Sequence, residues 1–250
     1  MNPGMKPTAR VLRSGEVLWP GYDAGQSVGV PRGIVEMSDV LYKYLSSNRP
    51  MRWISRRHVR FILRVVNKLS CDRHSLRLAD IGCGDSYVGA AVLMNCPAIE
   101  RVVGVDVDPH KLAISRELYR QNGLDAEVLE GSIYKLPFED RAFDVVLCSE
   151  VLEHLSDVDS AMSELARITK GFLILSVPFD LVFRTANVAR GAYLRQLGNP
   201  PNHVQHFSRC SFATRVARHA EACCSSVAAC LWIVAVARPH RGTRTEARSG

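Results

Sequence analysis

The stretch from Leu76 to Gly84 constrains this chain more than any other. Six residues, L-R-L-A-D-I, are apolar enough for a strand buried on both faces, and the chain then turns through Gly82 and Gly84 before a helical pattern opens at Tyr87. Glycines let a backbone approach a ligand closely and adopt turns that a Cβ would block. A helix starting just beyond such a turn presents free N–H groups to whatever the turn cradles. Strand, glycine turn and helix in this order are the opening unit of an alternating α/β chain, whose ligands bind beyond the carboxyl ends of its strands.

The rest of the sequence keeps that alternation. Short apolar runs predict strands at Leu76–Ile81, Arg101–Val107, Ala126–Leu129, Phe143–Cys148 and Phe172–Val177. Helical patterns lie between them at Tyr87–Asn95, His110–Asn122, Val151–Leu155 and Val158–Thr169. A parallel, doubly wound α/β sheet follows, with right-handed crossovers that bring every strand's carboxyl end to one edge. Before it, Trp53–Leu69 reads as an amphipathic helix. Phe61, Ile62, Val65, Val66 and Leu69 form its apolar stripe, and Arg56, Arg60, Arg64 and Lys68 its basic one. After it, a helix is expected at Ser211–Ala222 and a strand at Val227–Ala237.

With 250 residues there is room for one well-buried α/β domain and modest extensions. Residues 1–48, rich in Gly, Pro and Ser, read as an N-terminal extension. Residues 49–238 read as the domain, with an insertion at about 180–208, and 239–250 as a disordered basic tail. The N-terminus lacks the continuous apolar core of a signal peptide, and the longest apolar run is too short to span a bilayer, which takes about 20 residues. None of the eight cysteines forms a C-x-x-C pair, which argues against a zinc ribbon; Cys148 ends the apolar run F-D-V-V-L-C as a small hydrophobe would. A reducing, cytoplasmic compartment is expected. The net charge of +7 favours anionic partners without choosing among them, and the sequence leaves the oligomeric state open.

Two cofactor classes use a turn like Gly82–Gly84. A dinucleotide requires a further glycine three residues after the second, and that position is Tyr87. A carboxylate opens the motif at Asp80, which suits a cofactor without phosphates. Asp106 ends the second strand, 22 residues after Gly84, where a carboxylate accepts ribose hydroxyls in either class; Asp108 is the second choice for that role. D-I-G-C-G-D-S resembles motif I of class I S-adenosylmethionine-dependent methyltransferases, with Ser86 in place of the third glycine and leaving slightly less room. The stretch L-E-G-S-I-Y-K-L-P-F-E-D-R-A-F-D-V-V-L-C-S-E-V-L-E-H-L resembles the same class, in particular its ubiquinone-biosynthesis branch.

The resemblance implies a Rossmann-like, mostly parallel seven-stranded sheet with an antiparallel last strand. It implies S-adenosylmethionine as cofactor, bound by Asp80, Gly82, Gly84, Asp85, Ser86, Asp106, Val107, Ser132, Ile133, Ser149 and Glu150. Ser132 stands where the class carries an acid for the adenine amino group, so adenine is expected on the Ser132 hydroxyl or the Ile133 backbone.

Methyl transfer to a hydroxyl needs alignment and a proton acceptor. The candidates are His154, His203 and His206, the last two in N-H-V-Q-H-F, a stretch resembling the H-x-x-H-F loop of several small-molecule and sugar methyltransferases. Glu150, Glu153 and His154 would share one face of a helix and, with His203 or His206, would suit a divalent metal. The E-x-x-E-H pattern is similar to the metal site of small-RNA 3′-terminal 2′-O-methyltransferases; the sequence assigns no metal. The expected partner is a small-molecule methyl acceptor, such as a quinone or phenol precursor, a sugar or a natural-product intermediate. The alternatives are an RNA 2′-O-methyltransferase, with the basic stripe or Arg184, Arg190 and Arg195 gripping phosphates, a catalytically silent cofactor-binding scaffold, and an NAD-dependent oxidoreductase, which Tyr87 disfavours.

Overall fold

The computed structural model describes residues 49–189, 191, 193–197, 199–200, 203–228 and 231–240. The expected extension over 1–48 and residues 241–250 of the expected tail lie outside the described residues, as does Arg190. The elements run α1 (Arg49–Leu69), β1 (Leu76–Ile81), α2 (Tyr87–Asn95), β2 (Ile99–Asp106), α3 (Pro109–Gln121), β3 (Ala126–Glu130) and β4 (Phe143–Ser149). A 3-10 turn (Leu152–His154) leads to α4 (Val158–Ile168), β5 (Thr169–Pro178) and α5 (Asp180–Ala189). A second 3-10 turn (Leu194–Gln196) precedes α6 (Arg209–His219), β6 (Ala220–Ala228) and β7 (Trp232–Pro239).

All seven strands join one sheet in the order β3-β2-β1-β4-β5-β7-β6. The pairings from β3 across to β5 are parallel, and β7 runs antiparallel between β5 and β6. This is the expected Rossmann-like, doubly wound arrangement. The order reverses between β1 and β4, and such a switch point opens a crevice at the carboxyl edge.

Side-chain alternation sorts each strand between two cores. Leu78, Val145, Leu147 and Ile174 pack with α1, α2 and α3, whereas Ala79, Ile81, Val146 and Cys148 pack with α4 and α6. Helix starts are set locally. Asp108 caps α3 through the N–H groups of His110 (3.0 Å) and Lys111 (3.4 Å), with Pro109 opening the helix. Ser208 and Ser211 form a capping box at α6.

Four expectations need correction. The run Val227–Ala237 is not one strand: β6 ends at Ala228 and β7 starts at Trp232. Val227, Ala228 and the first residues of β7 are all apolar, so composition gives no sign of the break. Val151–Leu155 is only a 3-10 turn, because Glu150 at φ 57° turns the chain away from helical geometry just before it. Helix α6 stops at His219, and the residues assigned to its end begin β6. The basic stripe of α1 is not open along its length, as a grip on phosphates would need: Arg64 and Lys68 are exposed, but Arg56 and Arg60 are half-buried.

Candidate functional site

The turn after β1 is pinned to β2: the N–H groups of Gly82 and Cys83 both donate to the Val105 carbonyl, at 2.7 and 3.0 Å. Gly82 has φ 72°, and a Cβ there would overlap Val151 Cγ2 from the chain leaving β4. The first glycine is therefore required by packing as well as by conformation. Gly84, at φ 52°, has only the Lys111 side chain near the place a Cβ would take, at 3.9 Å, so its outer side is open. Ser86 takes the left-handed conformation (φ 56°) that a glycine there would take without strain. Its fully buried hydroxyl points inward and accepts a hydrogen bond from Ser115 Oγ at 2.5 Å. It takes no space from the ligand side of the loop.

Asp106 ties this loop to the next one. Its Oδ2 accepts the Gly84 N–H at 2.8 Å and its Oδ1 accepts the Asp108 N–H at 3.0 Å. A carboxylate offers about four lone-pair positions, so two remain for a ligand. Asp108 is occupied with capping α3, which leaves Asp106 as the acid facing the loop. Val107, beside it, is 66% exposed, an apolar side chain laid open at the sheet edge. Ser132 is exposed, its Oγ accepting the Tyr134 N–H at 3.3 Å, while the Ile133 side chain is buried. Asp85 is buried in the loop.

Asp80 lies beneath the turn, buried on the α2 side, where the Gly89 N–H donates to it. Burial, and after it the Asp106 charge, push its carboxyl from 3.8 up to about 7. With the folded value raised, the group's contribution to stability is full below the unfolded value and is lost as pH rises through about 7. Asp80→Asn removes this titration. We expect urea unfolding to show the variant gaining on the wild type between about pH 4 and pH 7, by at most roughly 1.4 kcal/mol per pH unit. A pH-independent difference would contradict the assignment.

On the other side of the switch point, Ser149 ends β4 and pairs in register with Ser176 of β5. Between their hydroxyls sits His58 Nε2, 3.2 Å from Ser149 Oγ and 3.3 Å from Ser176 Oγ. Its ring stacks on Trp232 at 4.5 Å, and it is fully buried. Sequence reasoning missed His58, although the signal was present: it lies four residues before Ile62, on the apolar stripe of α1. Glu150, at φ 57°, donates its N–H to the Ser176 carbonyl at 2.9 Å.

The three histidines separate into two places. His154 and His203 approach edge to face at 5.0 Å, with Glu153 beside them. His206 stands apart, its Nδ1 3.0 Å from Asp180 Oδ1. Asp180 also faces Arg184 at 3.6 Å and borders a cavity of about 530 Å³ walled by Leu181, Val188, Ala189 and Leu197. Glu150, Glu153 and His154 do not share a helical face, because the helix that would align them is absent. Among the described residues no helix is long and apolar enough to cross a membrane.

Residues 79–175 match the family model of a methyltransferase domain. The chain is 32% identical to a demethylmenaquinone methyltransferase of Thermus thermophilus over 58% of its own length and 66% of that protein's. It is 33% identical to a ubiquinone biosynthesis O-methyltransferase of Brucella anthropi over 38% of this chain and 37% of that one. It thus spans less than two thirds of each of these curated relatives. In fold it is similar to the magnesium protoporphyrin IX methyltransferase of Synechocystis with bound S-adenosylhomocysteine, with a TM-score of 0.62 and 15% identity, covering 84% of this chain and 95% of that one. The glycine turn, the acid after β2 and these likenesses agree: the chain carries a class I S-adenosylmethionine-dependent methyltransferase domain.

Proposed function

We propose that the chain transfers the methyl group of S-adenosylmethionine to an oxygen of a small-molecule acceptor. The observation that carries this reading is the Asp106 carboxylate holding the Gly84 N–H at the switch point of the sheet. In this reading the methionine end lies on the Gly82–Ser86 turn and near Ser149 and Glu150. The ribose hydroxyls take the two remaining lone-pair positions of Asp106. Adenine lies against Val107, with the Ser132 hydroxyl and the Ile133 backbone at its edge. Asp80 and Asp85 act from beneath the loop and bias it toward the cationic cofactor. Residues 49–238 form the catalytic domain, and 180–208 shape the acceptor side.

His206 is the proton acceptor we favour among the three histidines. Asp180 at its Nδ1 favours the tautomer with Nε2 free to take a proton, the arrangement by which a carboxylate orients a catalytic imidazole. The apolar cavity bordering Asp180 suits a ring or chain carrying the acceptor hydroxyl. A relative named as a ubiquinone biosynthesis O-methyltransferase points the same way. An RNA acceptor is not favoured, since half-buried Arg56 and Arg60 leave no continuous basic track on α1. Cys71, Cys83, Cys96, Cys148 and Cys210 are free thiols and suit a reducing cytoplasmic location.

The test is methyl transfer from methyl-labelled S-adenosylmethionine to a panel of phenols, quinols, sugars and natural-product alcohols. An O-methylated product is expected, with kcat falling about 10²–10⁴-fold in His206→Gln. Methylation only at carbon or nitrogen would overturn the oxygen assignment, and an unchanged kcat would remove His206 from its role.

A further inference from the structure

We propose that Glu153, His154 and His203 form a binding site for one divalent first-row metal ion on the acceptor side of the sheet edge. The role given to the ion rests on the methyl-transfer reading above, but the site itself does not.

The three groups come from two segments about fifty residues apart in the chain, and one ligand atom from each lies within 4.8 Å of the others. A tetrahedral ion about 2.1 Å from each ligand atom holds those atoms about 3.4 Å apart, so side-chain rotations that bring them closer by up to roughly 1.4 Å close the set. The backbone holds the two segments in place. Val204 and Gln205 both donate their N–H groups to the Glu153 carbonyl, at 2.9 and 3.0 Å, and Gln205 Nε2 donates to the Leu155 carbonyl at 3.1 Å. The His203 ring is fixed on its other side by stacking on Phe183 at 5.7 Å. Such outside support orients a ligand before the metal arrives.

Burial grades across the set. Glu153 is buried, His203 is half-buried and His154 is exposed, so one side is closed by protein and the other is open to an incoming ion and substrate. Two imidazole nitrogens and one carboxylate oxygen suit Zn²⁺, Co²⁺ or Fe²⁺ better than Mg²⁺, which takes oxygen ligands. Three protein ligands leave positions open, as in sites where a metal meets a substrate.

The location gives the ion a task. Glu153 and His154 follow β4 directly, and Val151 of the same turn packs on Gly82 of the cofactor loop. An acceptor hydroxyl bound at an open position would have its pKa lowered. Its proton would leave to water, the oxygen would form the bond to the methyl carbon, and the carbon–sulfur bond would break with its electron pair passing to the sulfonium. The products are a methyl ether, S-adenosylhomocysteine and one proton.

The experiment uses the full chain, stripped with chelator and titrated with Co²⁺ and Zn²⁺. We expect one equivalent to bind by calorimetry, with Co²⁺ giving the visible absorption of a nitrogen- and oxygen-ligated ion of low coordination number. Glu153→Gln and His203→Gln should each weaken binding at least about 100-fold, whereas His206→Gln should keep it. S-adenosylmethionine affinity in the two ligand variants, within twofold of the wild type, serves as the check that they fold. Absence of a stoichiometric binding event in the wild type would overturn the site, as would binding that survives both ligand variants. Metal-independent methyl transfer by a chain that binds no metal would remove the site and leave the methyl-transfer reading standing. Stoichiometric binding without methylation of any acceptor would do the reverse.

Discussion

Gly82→Ala is expected to leave a chain with no measurable affinity for S-adenosylmethionine and a large loss of stability. Two effects add. Alanine at φ 72° is strained by about 1–2 kcal/mol. Its methyl group would also overlap Val151, and relieving an overpacked contact of that kind costs about 1–3 kcal/mol more. Relief can come only by moving the loop away from β4 or by moving the 3-10 turn, and either movement displaces the cofactor's seat. Gly84→Ala is the informative partner. Its φ of 52° carries similar strain, but its Cβ would meet open space. We therefore expect Gly84→Ala to lose only about 1–2 kcal/mol of stability, while its methyl group intrudes where the proposed reading puts the methionine moiety. Urea denaturation should rank the two variants in that order, and calorimetry should show both impaired in binding. Equal stability losses would show that Val151 does not press on Gly82.

Asp106→Asn has the second large effect, and it acts differently. The side chain keeps its size but offers one carbonyl oxygen where there were two acceptors. Either the Gly84 N–H or the Asp108 N–H then faces an amide NH2 group. The ribose hydroxyls lose charge-assisted hydrogen bonds worth about 1.5–3 kcal/mol each. Binding of S-adenosylmethionine, followed by calorimetry, should weaken at least about 100-fold, since each 1.4 kcal/mol is about tenfold. A second consequence follows from electrostatics. The Asp106 charge helps to hold the Asp80 carboxyl up, so Asp80 should titrate lower in the variant and the stability difference from Asp80→Asn should shrink. Affinity within twofold of the wild type would refute the ribose assignment.

The sequence made the first strand, the glycine turn and the helix after it legible because their signals are local. The expected bounds of β1 and α2 coincide with those observed, since an apolar run, a glycine turn and a helical pattern follow one another without a gap. The place of Asp106 at the end of β2 was legible from its distance to that turn. The inward direction of Ser86 was not: its partner, Ser115, lies 29 residues away on α3. The acceptor half was legible only as a set of residue types. Glu153 and His203 meet because the chain returns along α5 and the residues after it, and α5 itself lay hidden inside the stretch read as an insertion at about 180–208. Glu150 was assigned to a helix that its own left-handed backbone prevents, and a residue other than glycine gives no warning of that conformation. His58 shows the same limit from another side. A buried histidine on an apolar stripe signals a polar partner, but its partners, Ser149 and Ser176, become known only once β4 and β5 are paired.

The central claim is that the carboxyl edge between β1, β2 and β4 seats the cofactor in a defined orientation. A crystal structure of the full chain with S-adenosylhomocysteine tests it most directly. The account predicts the ribose hydroxyls within hydrogen-bond distance of Asp106, the homocysteine end on the Gly82–Gly84 turn and the adenine against Val107. A ligand bound at another edge of the sheet, or one whose ribose does not touch Asp106, would contradict it.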